Sequence, residues 1–274
     1  MIPAAFDFVR AESAAEAVAA LAEHGDDAKI LAGGMSLIPL MKLRLATPMV
    51  LIDVARIRDL SYIKDAGDHI AIGSLTRHRD VEISELLKAE CGVVSAVTAQ
   101  VGDNQVRHRG TIGGSVAHGD PASDLPATLL ALDATFVVTG KSGHREIAAT
   151  DFFEGFLETA LGSEELLTEI RVPKAGPSGF NYQKFNRRAQ DWAIVGAVAV
   201  TVGGAKKVGL VNMGSTPLRA RQVEAALAGG ASNSDAAQSA AADTEANQDL
   251  NASVEYREHL SRVLVRRALE AATV

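Results

Sequence analysis

The chain of 274 residues carries a single cysteine, Cys91, and that scarcity excludes more chemistry than any other feature of its composition. One thiol closes no internal disulfide, builds no cysteine-rich zinc site and cannot by itself hold an iron–sulfur cluster. Redox work by this chain therefore needs an organic cofactor, and Cys91 reads as structural. Long apolar runs are also missing: residues 49–52 and 193–202 fall far short of a membrane span. The opening Met1-Ile2-Pro3-Ala4-Ala5-Phe6-Asp7 lacks a basic segment followed by an apolar stretch, so no secretion signal is read and a cytoplasmic location is expected. Aromatics are only 4% of the chain, the formal charge is −7, and no basic stripe is interleaved with aromatic residues. A nucleic-acid partner is thereby disfavoured. No Ser-His-Asp, Cys-His or paired-carboxylate cluster stands out, so nothing argues for hydrolysis and no catalytic residue is assigned.

What is present is the composition of a globular protein, 47% apolar and 22% charged, long enough for two or three modest domains. The first 60 residues alternate helix and strand. Ser13 is placed to cap an alanine-rich helix that ends near His24-Gly25, and residues 29–32 and 49–53 read as short strands. Such alternation predicts a small α/β lobe. From about residue 61 a second lobe follows, with strands over 62–64 and 69–73. A helical region runs over 76–99, a helix from Asp120-Pro121 to about Leu132, and a strand over 135–139. Pro173, Gly176, Pro177 and Gly179 punctuate the chain, which predicts a domain of residues 1–176 and another of 177–274. The second has antiparallel strands over 192–202 and 207–213, a helix over 218–227 and a final helix over 253–272. Residues 231–251 read either as helix or as surface connection.

Two glycine doublets carry the functional signal: Ala32-Gly33-Gly34-Met35-Ser36 and Thr111-Ile112-Gly113-Gly114-Ser115. Each sets two residues without a Cβ beside a small hydroxyl, so that backbone amides can approach a phosphate oxygen. Neither has the G-x-G-x-x-G spacing, and no lysine of the G-x-x-x-x-G-K-[ST] kind is present. Two such segments nearly 80 residues apart suggest two lobes closing on one diphosphate-bearing cofactor. The alternative is a pair of tight turns packed against helices. His118, Asp120 and Asp124 can be read as metal ligands, but Asp120 as a helix cap and Asp124 in a first helical turn explain the same residues, and no metal is assigned. Arg107, His108 and Arg109 can face a diphosphate, another protein or solvent.

The chain resembles the FAD-binding medium subunit of the molybdenum hydroxylases, the family of carbon monoxide, nicotine, caffeine and xanthine dehydrogenases. Both glycine segments match, the first with Leu37, Pro39, Lys42 and Arg44, the second with Ala117-His118-x-Asp120-Pro121-x-x-Asp124. The match continues through Phe185-Asn186-Arg187-Arg188, Asp191-Trp192-Ala193, Gly214-Ser215-Thr216-Pro217-Leu218-Arg219, Ser253-Val254-Glu255-Tyr256-Arg257 and Val265-Arg266-Arg267-Ala268-Leu269, so it spans nearly the whole chain. The resemblance implies an α+β fold: a two-lobed FAD-binding domain of the vanillyl-alcohol-oxidase type, then a small α+β domain with an antiparallel sheet. It implies FAD held by Leu31, Ala32, Gly33, Gly34, Met35, Ser36 and Leu37 and by Thr111, Ile112, Gly113, Gly114 and Ser115. Asp124 would bond the sugar-alcohol chain, while Leu167, Lys184 and Trp192 would line the flavin pocket; a core position for Trp192 is the alternative. Met35 departs from the polar residue many relatives carry there. The implied function is electron transfer from [2Fe–2S] clusters on a small subunit, beside a large subunit with a molybdenum cofactor, to an external acceptor. A dimer of heterotrimers is implied, and a self-sufficient FAD-dependent oxidase with its own organic substrate is the alternative.

Overall fold

The computed structural model describes residues 2–273. Strands Asp7–Arg10, Ala28–Leu31 and Val50–Asp53 form a parallel sheet with Val50–Asp53 in the middle. The helix Ala14–His24 carries the chain from one outer strand, Asp7–Arg10, to the other, Ala28–Leu31, burying Ala17, Val18, Ala20 and Leu21. The Ser13 hydroxyl accepts from the Glu16 amide at 3.1 Å, and Gly25 ends the helix at φ 53°. The strand Asp7–Arg10 had no sequence signature because three of its four residues are exposed, so no apolar alternation marks it.

The second lobe is a five-stranded antiparallel sheet in the spatial order Ile63–Asp65, His69–Gly73, Leu166–Pro173, Thr135–Gly140, Gly143–Ala148. Its central strand, Leu166–Pro173, comes from far along the chain and sets Ile170 beside Ile72 on one side and Phe136 on the other. These side chains join Phe152, Leu125, Leu129 and Leu132 in the main core. The helical region read over 76–99 is three short helices: His78–Ile83, Glu85–Glu90 and Gly92–Thr98. Ser84 restarts the chain by accepting from the Leu87 amide at 3.2 Å.

The helix expected from Asp120 begins at Asp124 instead. Asp120 accepts from the Ala122 amide at 2.8 Å, which turns the chain for several residues before helix geometry begins. The carboxy-terminal unit is an antiparallel sheet of Phe180–Phe185, Val195–Val202, Ala205–Val211 and Leu218–Arg219. Leu218 and Arg219 thus pair as strand, and the helix read over 218–227 runs over Arg221–Ala228. The last helix, Val254–Ala271, packs Leu260, Leu264, Val265, Ala268 and Leu269 into the core of this unit, and Ser253 caps it. Within 231–251 the chain forms the short helix Asn233–Ala237 and a single turn, Gln238–Ala241. The helix Asp124–Ala131 lies against this sheet closely enough that a Cβ on Gly209 would run into the Ala127 carbonyl. That packing brings the strand Phe180–Phe185 to the edge of the first unit.

Candidate functional site

A cleft of about 780 Å³ runs between the lobes, within the roughly 300–1,000 Å³ usual for cofactor sites. Ala32, Gly33, Gly34, Met35, Ser36 and Leu37 line one wall; Thr111, Gly113, Gly114 and Ser115 line the facing one. Asp124, Leu167, Lys184 and Trp192 border the same space. Leu31 and Ile112 do not: Leu31 packs beside Gly34, and Ile112 is fully buried in the main core.

The two glycine segments differ in what their amides do. In the first, Gly34 takes φ 73°, a conformation that favours glycine, and Gly33 lies so near Arg109 and Gly110 that a Cβ would meet their backbone. The amides of residues 33–37 donate to no acceptor within the chain. In the second, every amide from Ile112 to Ser115 is engaged. Ile112 donates to the Thr76 carbonyl at 3.0 Å and Gly113 to the Ser74 carbonyl at 2.9 Å. Gly114 donates to the Thr111 hydroxyl at 3.1 Å and Ser115 to the Thr111 carbonyl at 3.1 Å. This segment is the first turn of the helix Ile112–His118, not a loop with free amides, and that corrects the reading of two equivalent amide nests. Gly113 is required because a Cβ would strike the Ser74 backbone. On this wall, the alternative of glycines packed for close approach holds.

Ser74 and His78 line the cleft although no motif marked them. Both are buried, 3% and 4% exposed, and Ser74 Oγ and His78 Nδ1 have no hydrogen-bond partner. An unpaired buried polar atom costs about 1–3 kcal/mol. Burial, and secondarily the Arg107 charge, pulls the His78 pKa down to about 4, so its ring is neutral at neutral pH. Arg107 itself turns away from the cleft, bonded to Glu82 at 2.9 Å and to the Val101 carbonyl at 3.0 Å.

The third wall joins the two units. Asp124, 4% exposed, accepts from the Tyr182 hydroxyl with Oδ1 and from Lys184 Nζ at 2.8 Å with Oδ2. Lys184 also donates to the Gln100 carbonyl at 2.9 Å. Burial raises the Asp124 pKa, against the opposing pull of Lys184 and Tyr182. Each carboxylate oxygen keeps a second lone pair, so Asp124 can still accept from a ligand hydroxyl. Tyr182 escaped the sequence reading because its partner lies 58 residues earlier in the chain. Trp192 is 55% exposed at the cleft mouth, so the core alternative fails for it.

No cluster of three or more His, Cys, Asp or Glu side chains among the described residues is arranged to hold a metal. Cys91 is buried, and burial pushes its thiol up to about 12, a setting that suits packing and not reactivity. No described helix is long and apolar enough to cross a membrane. Unpaired amides on one wall, glycines that leave no room for a Cβ, and two orphaned polar atoms between the walls together fit an elongated ligand with an anionic centre.

Residues 4–175 match the family described as the FAD binding domain in molybdopterin dehydrogenase, and residues 180–272 match the CO dehydrogenase flavoprotein C-terminal domain. The chain is 40% identical to the carbon monoxide dehydrogenase medium chain of Afipia carboxidovorans, over 99% of its own length and 98% of that protein's. It is 36% identical to the glyceraldehyde dehydrogenase medium chain of Sulfolobus acidocaldarius, over 98% and 99% of the two chains. Among solved structures, a carbon monoxide dehydrogenase from Hydrogenophaga pseudoflava lacking the Mo-pyranopterin moiety superimposes with a TM-score of 0.95 at 41% identity. That match covers 99% of this chain and 98% of the other.

Proposed function

The chain belongs to the family of FAD-binding medium subunits of molybdenum-dependent dehydrogenases, and from that premise we propose that it relays electrons from a partner's [2Fe–2S] clusters to an external acceptor. The carrying observation is the cleft wall of residues 33–37, whose amides have no acceptor in the chain. Bound FAD supplies a store for two electrons that can fill one at a time. The work of the chain's own residues is to bind and to tune. The amides of 33–37, with the Ser36 and Ser115 hydroxyls, offer donors to the diphosphate. Asp124 offers lone pairs to the sugar-alcohol chain, and Leu167 covers an apolar face. Lys184 holds a positive charge at the cleft wall, where it favours the negative charge that reduction brings in.

The lone cysteine supports the division of labour, because clusters need thiolates this chain lacks. On this reading the cofactor-binding unit is residues 1–176 and the carboxy-terminal unit residues 177–274, both contributing to one cleft. The partners are a large subunit with a molybdenum cofactor and a small iron–sulfur subunit, in a dimer of heterotrimers.

The test is spectroscopic. The purified chain should bind FAD stoichiometrically, and substrate should bleach that flavin only when the large and small subunits are present, colour returning on addition of the acceptor. A chain that takes up no FAD ends the proposal. Flavin bleached by an organic substrate in the absence of partners makes the chain a self-sufficient oxidase instead.

A further inference from the structure

Lys184, which borders the cleft, shares its carboxylate partner with a residue that does not line it. Tyr182 and Lys184 sit two apart on the strand Phe180–Phe185, so their side chains fall on the same face. Both reach the Asp124 carboxylate, which belongs to the other unit and opens the helix Asp124–Ala131. Two of the three Lys184 donors are spent, on Asp124 and on the Gln100 carbonyl. One remains for the cleft that Lys184 borders.

We propose that Tyr182 is a positioning residue for flavin redox: its hydroxyl holds Asp124 by one oxygen so that the other fixes the Lys184 ammonium at the cleft wall. The assignment rests on reading the cleft as an FAD site. A buried carboxylate with a single donor is a stronger base than one with two. Without the Tyr182 hydroxyl, Asp124 pulls the Lys184 ammonium toward itself. That movement withdraws positive charge from the cleft. The groups acting on the Asp124 charge are Lys184 and Tyr182. Lys207 and Arg219, facing the far end of the same helix, are occupied by Asp133. The phenol suits the role because burial and the adjacent carboxylate drive its pKa well above the usual tyrosine value, so it always donates.

The experiment is a dye-equilibrated redox titration of the full chain at saturating FAD. Tyr182→Phe is expected to reduce the preference for reduced over oxidised FAD about tenfold, a fall of about 30 mV in the two-electron midpoint. In a Lys184→Met background the same substitution should move nothing, because the effect travels through the ammonium. An unchanged or raised midpoint in Tyr182→Phe, or an equal fall in both backgrounds, overturns the proposal. If Tyr182→Phe fails to fold, site-specific Tyr182→3-fluorotyrosine, a stronger donor, should raise the midpoint, and its failure to do so overturns the proposal equally. An unmodified chain that binds no FAD removes both this assignment and the site. One that binds and titrates normally, beside a silent Tyr182→Phe, removes only this assignment.

Discussion

The two walls of the cleft share a glycine doublet and a serine and behave oppositely. Residues 32–36 leave the amides from Gly33 onward without partners, whereas residues 111–115 spend theirs on Thr76, Ser74 and Thr111. The first wall is an unsatisfied surface that a ligand completes. The second is a self-satisfied helix start that stiffens the cleft and presents side chains. A glycine doublet beside a hydroxyl therefore has two physical uses, exposing amides or permitting close packing, and only the neighbours decide which applies.

Substitutions at the glycines test this contrast with the largest expected effect. Gly113→Val should abolish FAD retention and destabilise the cofactor-free chain by about 3 kcal/mol, because a branched side chain is driven into the Ser74 backbone. Gly33→Val should also abolish FAD retention and cost a similar amount of stability, because a Cβ there would meet the Arg109 and Gly110 backbone. Denaturant unfolding of both proteins without FAD, alongside flavin absorbance after gel filtration, reads the two effects apart. A full flavin complement in either variant would remove that wall from the site.

The orphaned histidine between the walls gives a pH signature of about 2–3 kcal/mol. His78 is held neutral when folded, with its pKa depressed to about 4 from an ordinary 6.5. The unfolded chain therefore binds the proton first. Stability is complete above pH 6.5 and is lost as pH falls from 6.5 toward 4. Urea midpoints across that window should decline, and His78→Leu should flatten the decline. A profile unaffected by His78→Leu would show that the ring is not buried as described.

The hydroxyls offer the smallest and sharpest test. Thr111→Val removes the acceptor for the Gly114 amide and should cost about 1 kcal/mol of stability, as helix caps do. It frees an amide toward the cleft, so FAD affinity should hold. Ser36 makes no capping bond. Ser36→Ala should change stability by less than about 0.5 kcal/mol while weakening FAD binding about tenfold. The reverse pattern, read by thermal melts and FAD titration, would exchange the roles of the walls.

Much of this was legible in the sequence. The parallel lobe showed in alternating helix and strand, the cap Ser13 in its small hydroxyl, and one part of the cleft in the glycine doublets and Asp124, whereas Leu167, Lys184 and Trp192 were marked only by the family resemblance. The strand Asp7–Arg10 was illegible because it is an edge with little to bury. The helix start at Asp124 was misplaced because Asp120 closes a turn as readily as it caps a helix. Ser74, His78 and Tyr182 lie outside any motif; their importance comes from partners distant in the chain or absent from it.

By itself the sequence determined the class of chemistry: one cysteine rules out resident clusters, and two glycine–hydroxyl segments mark where backbone must come close to something. Only the tertiary structure decided which of those segments has donors left to give. The reason is that a backbone amide is available to a ligand only when no other part of the chain has claimed it. At residues 112 and 113 the claim is made by Thr76 and Ser74, brought in by the sheet of the second lobe, while at residues 33–37 nothing arrives.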